Sequence, residues 1–124
     1  MLKKNILFLA YYFLYLTIMD KSKTRKMIIG QKLRELREKK GLLLRQVAAE
    51  LEVDTAYISK MERGEKPIKR EFIVQLAKIY DAKIDDLITV WLADQMFDIV
   101  KDEKQALKAI KQVEILIEKD IKKK

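Results

Sequence analysis

Residues 44–63, LRQVAAELEVDTAYISKMER, constrain the fold of this chain more than any other stretch of its sequence. The segment reads as two short helices that meet at a tight turn. Ala48 lies where the two helices must nearly touch, Val53 follows the turn, and Ile58 anchors the second helix of the pair. This spacing predicts a helix-turn-helix motif.

Helical periodicity continues on both sides of the motif. Ile29, Leu33 and Leu36 recur at helical spacing, and Gly41 follows at the position where a left-handed residue ends a helix. Asp54 is the expected N-cap of the third helix. No strand pattern or repeat stands out, so the sequence predicts an all-α fold. Three further helices are expected over about residues 70–80, 84–100 and 103–121.

Two absences in the composition narrow the possible chemistry. The 124 residues include no Cys and no His. Disulfides, thiolate or imidazole metal sites and His- or Cys-based nucleophile arrangements are therefore excluded. No glycine-rich loop that could cradle a phosphate is present either. We expect no metal, no cofactor and no enzymatic activity.

The net charge of +8 is unevenly distributed along the chain. Residues 21–70 carry fifteen basic and seven acidic side chains, whereas residues 71–98 carry two basic and six acidic ones. The basic excess coincides with the helix-turn-helix motif, as an electrostatic surface for phosphates requires. The charge pattern therefore indicates double-stranded DNA as a partner.

Residues 1–26 differ from the rest of the chain. Lys3 and Lys4 precede an apolar run over residues 6–19, which as a helix would be roughly 21 Å long, short of the ~30 Å hydrocarbon core of a bilayer. No small-residue cleavage site follows, which argues against a signal peptide. Three interpretations stay open: a start assigned too far upstream of Met19 or Met27, a membrane-surface or marginally spanning anchor, or an extra helix packed on the domain.

The region over about residues 28–90 resembles the Cro/repressor-type helix-turn-helix domain, also called the XRE family. The resemblance implies a five-helix lambda-repressor-like DNA-binding bundle, here with an extra C-terminal amphipathic helix. We therefore expect an N-terminal extension over residues 1–26, a DNA-binding domain over 27–90 and a helical extension over 91–124. The segments that carry the resemblance are IGQKLRELREKKG (29–41), VAAELEVDTAYISKMERG (47–64) and FIVQLAKIYDAKIDDLI (72–88).

The resemblance also implies which side chains contact DNA. The third helix would enter the major groove, and its Tyr57 would either stack on sugar and backbone or pack sideways. Glu62 would be an internal brace paired with Arg34 or Arg37. The residues expected to face bases are Thr55, Ala56, Tyr57, Ser59 and Lys60, and those expected to bind phosphates are Arg45, Arg63, Lys66, Lys69 and Arg70.

Two positions depart from the family pattern. Glu52 occupies the turn position that is usually glycine, and a left-handed non-glycine residue costs about 1 kcal/mol or more. The turn is therefore either strained or slightly reshaped. Leu44 stands where the family often places a glutamine that contacts phosphate, so this contact is expected to be missing.

The resemblance implies a sequence-specific transcriptional regulator of bacterial or phage-like type, acting on the nucleoid in the cytoplasm. Because one helix reads too few bases to select a site in a genome, we expect a homodimer on a palindromic operator. The alternatives are an antitoxin whose terminal helix binds a toxin, or a membrane-tethered regulator; RNA polymerase is a further possible partner. The residues expected in the dimer interface are Leu87, Trp91, Leu107, Ile110 and Ile117.

Overall fold

The structure, a computed structural model, describes residues 9–10 and 28–124. Residues 28–124 contain six α-helices and no strand, which confirms the all-α prediction. Apart from residues 9–10, the apolar run over 6–19 lies outside the described residues, so the interpretations of it stay predictions. The helices are α1 (Ile28–Lys39), α2 (Leu44–Leu51), α3 (Thr55–Glu62), α4 (Arg70–Ile79), α5 (Ile84–Val100) and α6 (Ala106–Lys123).

Four of the connections between helices turn on a residue with left-handed backbone. Two are glycines, Gly41 at φ 69° and Gly64 at φ 74°, and two are not, Glu52 at φ 56° and Asp81 at φ 54°. Each of these residues donates its N–H to the carbonyl three residues back, and the next residue donates to the carbonyl five residues back. This pair of bonds satisfies the last carbonyls of each helix. The predicted turn at Gly41 and the left-handed backbone expected at Glu52 are present, whereas the same feature at Asp81 was not foreseen.

Helices α1–α5 enclose one hydrophobic core. Ala48 and Ile58, the two residues on which the motif was identified, are both buried in it. Leu87 is also fully buried, at 1% exposure, so its predicted place in a dimer interface is wrong: the side chain is used inside the protomer. The buried apolar residues are Ile29, Leu33, Val47, Ala48, Leu51, Ile58, Met61, Ile68, Ile73, Leu76, Ala77, Tyr80 and Leu87.

Helix α1 lies unusually close to the C-terminal end of α3 at Gly30. A Cβ atom at this position would lie 2.6 Å from the carbonyl oxygen of Met61 and 2.7 Å from that of Glu62. Both neighbours are backbone atoms of α3 and its end, so neither can rotate away. Only glycine fits here, and its presence sets the distance between the two helices.

A carboxylate from α5 closes the N-terminal end of α1. Asp94 accepts hydrogen bonds from the backbone N–H of Ile28, at 3.1 Å, and of Ile29, at 2.6 Å. Its side chain is 4% exposed and lies at the positive end of the helix dipole, where a negative charge is stabilised. Since α5 continues to Val100, the domain boundary expected after residue 90 falls inside a helix whose later part holds α1.

Helix α6 contributes nothing to this core. It contains no buried residue, although apolar side chains repeat along it. Leu107 is 72% exposed, Ile117 53% and Ile121 66%. In the described part of the chain, no helix is both long and apolar enough to cross a membrane.

Candidate DNA-binding site

Helix α3 separates a buried face from an exposed one. Ile58, Met61 and Glu62 point into the protein, and Tyr57 lies at the edge between the two faces. An α-helix has 3.6 residues per turn, so Thr55 and the residues one and four positions after it lie on the side of α3 opposite the buried face. Of the predicted base-reading residues, those on this outer face are Thr55, Ala56 and Lys60, which are exposed, and Ser59, which is half-buried.

The orientation of α3 is held by a buried ion pair to α1. Arg37 Nε donates to Glu62 Oε1 at 2.7 Å and Arg37 Nη2 to Glu62 Oε2 at 3.1 Å, while Nη1 donates to the Leu42 carbonyl at 2.8 Å. The hydrogen bond to Glu62 raises the pKa of Arg37 above its ordinary value. The bidentate brace expected for Glu62 is thus present. Its partner is Arg37, because Arg34 instead pairs with Glu38 at the surface of α1.

Tyr57 packs sideways against the following helix. Its ring meets that of Phe72 in α4 edge-on, with centroids 5.8 Å apart and planes at 66°. Lys66 Nζ lies 5.3 Å from the centroid of the Tyr57 ring. Of the two roles left open for Tyr57, these contacts favour packing. The ring supports the segment that follows α3 and stays half-buried.

The residues directly after α3 form a small charged network. Arg63 Nε and Nη2 donate to the two carboxylate oxygens of Glu65, both at 3.0 Å. Arg63 Nη1 donates to the hydroxyl of Ser59, one turn earlier on α3. The hydrogen bond between Arg63 and Glu65 raises the pKa of Arg63 and lowers that of Glu65. Arg63, expected to bind phosphate, and Ser59, expected to face bases, therefore contact each other in the free protein.

The other predicted phosphate ligands lie on the segments before and after α3 in the chain. Arg45 is in the first turn of α2, while Lys66, Lys69 and Arg70 lie between α3 and the start of α4. All four are exposed. Exposed cations can contact a phosphate backbone, and such contacts position a protein on a duplex without reading its sequence.

The start of α2 lacks part of its usual cap. The Gln46 side chain accepts a hydrogen bond from the Leu43 N–H at 2.8 Å, which is one half of a capping box. The other half needs a side-chain acceptor at the N-cap, and the apolar side chain of Leu43 has none. Leu43 is instead 50% exposed.

Sequence reasoning missed three residues that shape this surface. Glu65 was not singled out, although an Arg and a Glu flanking Gly64 in a turn were a signal for the pair. Gly30 and Asp94 were missed as well, because their roles depend on contacts with distant residues of the chain. No local pattern marks such contacts.

Two helices at a tight turn, with a polar and basic outer face on the second, define a helix-turn-helix domain. A family described as "Helix-turn-helix domain" matches residues 28–89. Since this match covers half of the 124 residues, the chain belongs to that family.

Named relatives are each similar to about half of this chain. The HTH-type transcriptional regulator DdrOP3 of Deinococcus deserti is 34% identical over 62 residues, which are 50% of this chain and 48% of that protein. The chain thus spans about half the length of this curated relative. The clp gene regulator ClgR of C. glutamicum has a TM-score of 0.48 and 28% identity, covering 54% of this chain and 87% of that one. The restriction-modification controller protein C.AhdI of Aeromonas hydrophila has a TM-score of 0.46 and 34% identity, covering 49% and 92%.

Proposed function

We propose that this protein is a sequence-specific DNA-binding transcriptional regulator that places α3 in the major groove. The observation that carries the proposal is the outer face of α3. Thr55 and Lys60, which can pair with base edges, are exposed there, and exposed cations that can bind phosphates precede and follow α3 in the chain. The family membership and the relative named a transcriptional regulator support the same function. Such a regulator acts on the nucleoid and needs no cofactor.

We propose further that the protein acts as a homodimer. A stripe on α5 supports this: Leu92, Met96 and Ile99 are spaced at i, i+4 and i+7 and are 45%, 37% and 79% exposed. With α6, they form more exposed apolar surface than a monomer needs. These residues replace Leu87 in the expected interface, while Trp91, Leu107, Ile110 and Ile117 remain in it. A two-fold axis would place two copies of α3 about 34 Å apart, matching a palindromic site.

The experiment that tests DNA binding is fluorescence anisotropy over a salt series. One labelled duplex comes from upstream of the protein's own gene, and the other has the same bases in shuffled order. A preference of ~10³-fold or more for the native duplex is expected if the protein regulates its own gene. Equal, steeply salt-dependent binding would place the operator elsewhere, and the absence of binding to either duplex would refute the proposal.

Two variants separate base reading from phosphate binding. Thr55→Ala is expected to change which bases are preferred, because its hydroxyl lies on the outer face of α3. Lys69→Ala is expected to weaken binding to all DNA alike and to reduce the log–log salt slope by about 0.9. The opposite pattern would show that the proposed docking is wrong.

A second candidate function is that of an antitoxin. The observation that favours it is the apolar stripe on α6, which no other described helix covers. Sedimentation of Ile117→Asp against the parent protein distinguishes the uses of this surface. If the variant becomes monomeric, α6 serves the homodimer; if a dimer persists, the stripe is free to bind a toxin.

A further inference from the structure

The guanidinium of Arg63 is fixed from two sides before any DNA is present. Glu65 accepts two of its N–H bonds at 3.0 Å each, and the Ser59 hydroxyl accepts a third. Arginine has five N–H donors, so two remain, one on each terminal nitrogen. These two suffice to bind two oxygens of one phosphate.

Arg63 is well placed to use these donors on DNA. It follows Ser59 by one helical turn and therefore lies on the same outer face of α3. The face opposite carries the buried Ile58 and Met61. A phosphate that approaches this face thus meets a guanidinium whose direction is already determined.

We propose that Glu65 and Ser59 are positioning residues that hold Arg63 in the geometry in which it binds a DNA phosphate. This inference rests on the proposed DNA-binding function. It also gives Ser59 a different role from the base reading that the sequence suggested. The hydroxyl directs the arginine, and the arginine contacts the backbone.

Two physical effects of Glu65 oppose each other, and their balance makes the proposal testable. A carboxylate beside a phosphate site repels DNA, so charge alone predicts that removing Glu65 strengthens binding. A braced arginine, however, loses little freedom on binding, whereas a free one must be ordered. Ordering a long side chain at an interface weakens binding by about two- to tenfold. We expect the loss of the brace to outweigh the gain in charge.

The segment after Arg63 is also held by contacts with other parts of the protein, which supports a preformed phosphate-binding arm. Lys66 Nζ lies over the Tyr57 ring at 5.3 Å. The Ile68 carbonyl accepts a hydrogen bond of 2.7 Å from Trp91 Nε1 in α5, and the Ile68 side chain is buried. The segment between α3 and α4 is therefore held at two places, by the Lys66 side chain on Tyr57 of α3 and by its backbone on Trp91 of α5.

The test is a double-mutant cycle measured by anisotropy on a short mixed-sequence duplex at low salt. Glu65→Ala is expected to weaken binding by about two- to tenfold in the parent protein. In the Arg63→Ala background no brace can be lost, so Glu65→Ala is expected to leave binding unchanged or to strengthen it. Glu50→Ala is the charge control, since Glu50 is an exposed carboxylate of α2 without a hydrogen bond among the described residues.

Two substitutions of Ser59 test the second contact of Arg63. Ser59→Ala is expected to weaken the binding of mixed-sequence DNA and of operator DNA by the same factor. Ser59→Thr, which keeps the hydroxyl, is expected to restore binding. Glu65→Ala that tightens binding in both backgrounds would overturn the proposal while leaving the DNA-binding function intact. A parent protein that binds no duplex would refute the function itself.

Discussion

Replacing Arg37 with Met is expected to destabilise the protein by about 3–5 kcal/mol, because the substitution leaves a buried carboxylate without its partner. The side chains of Arg37 and Glu62 are only 11% and 6% exposed and share two hydrogen bonds of 2.7 and 3.1 Å. The arginine also loses its bond to the Leu42 carbonyl, which fixes the turn after α1. Such a loss is a large part of the ~5–15 kcal/mol by which a domain is typically stable.

The free energy of unfolding would be measured by urea titration followed by far-ultraviolet circular dichroism. Urea is preferred to guanidinium because an ionic denaturant screens charge pairs. Arg34→Met is a matched control: it is the same substitution in the same helix, but Arg34 and its partner Glu38 are 57% and 54% exposed. An exposed pair contributes less than about 1 kcal/mol.

A double variant separates the burial of an unpaired charge from the loss of packing. Arg37→Met with Glu62→Met is expected to be more stable than Arg37→Met alone, because no buried charge remains. If Arg37→Met does not fold, Arg37→Lys keeps the charge but not the bidentate geometry and is expected to cost about 1–2 kcal/mol. The reasoning is refuted if Arg37→Met lowers the free energy of unfolding no more than Arg34→Met does. It is also refuted if the double variant loses as much stability as Arg37→Met and Glu62→Met lose together.

Three further predictions use the same urea titration. Glu52→Gly is expected to stabilise the protein by about 0.5–1 kcal/mol because glycine adopts the left-handed backbone without strain, and Glu52→Gln is the charge control. Gly41→Ala, at φ 69° with open space around it, is expected to destabilise the protein by about 1 kcal/mol for the opposite reason. If both variants are as stable as the parent protein, the strain argument is contradicted. Leu43→Ser is expected to add about 0.5–1.5 kcal/mol by completing the N-cap of α2, and no gain would show that the cap is already satisfied. Gly30→Ala is expected to cost about 1–3 kcal/mol although alanine favours helix, since its Cβ would lie 2.6 Å from a carbonyl oxygen; a gain in stability would refute the close approach.

Much of the fold could be predicted because its signals are local. The end of α1 at Gly41 follows from a local signal, because glycine readily adopts the left-handed backbone that ends a helix, whereas the turn at Glu52 was identified through the family resemblance. The partner of Glu62 could be narrowed to two arginines of α1. Packing of the helices selects Arg37, because its position faces α3. Periodicity also placed α5 correctly over residues 84–100.

The errors and omissions share one physical cause, which is that burial depends on where distant helices meet. Leu87 and Leu92 are both apolar residues of α5, but the first is 1% exposed and the second 45%. The sequence pattern alone does not distinguish an apolar side chain that fills the protomer's own core from one that remains at its surface. Asp94 was hidden for the same reason, because its carboxylate acts on a helix more than sixty residues earlier in the chain.

These long-range contacts also explain how a small bundle can present α3 in one orientation. The C-terminal end of α3 is held by the close approach of Gly30, by the ion pair of Glu62 with Arg37 and by the burial of Met61. The N-terminal end has fewer side-chain contacts: Thr55 and Ala56 are exposed, and the Asp54 side chain makes no capping bond. A helix fixed at one end and exposed at the other can project short side chains into a groove without losing its direction. We therefore expect substitutions near Thr55 to change DNA binding with little effect on stability, and substitutions near Glu62 to change stability first.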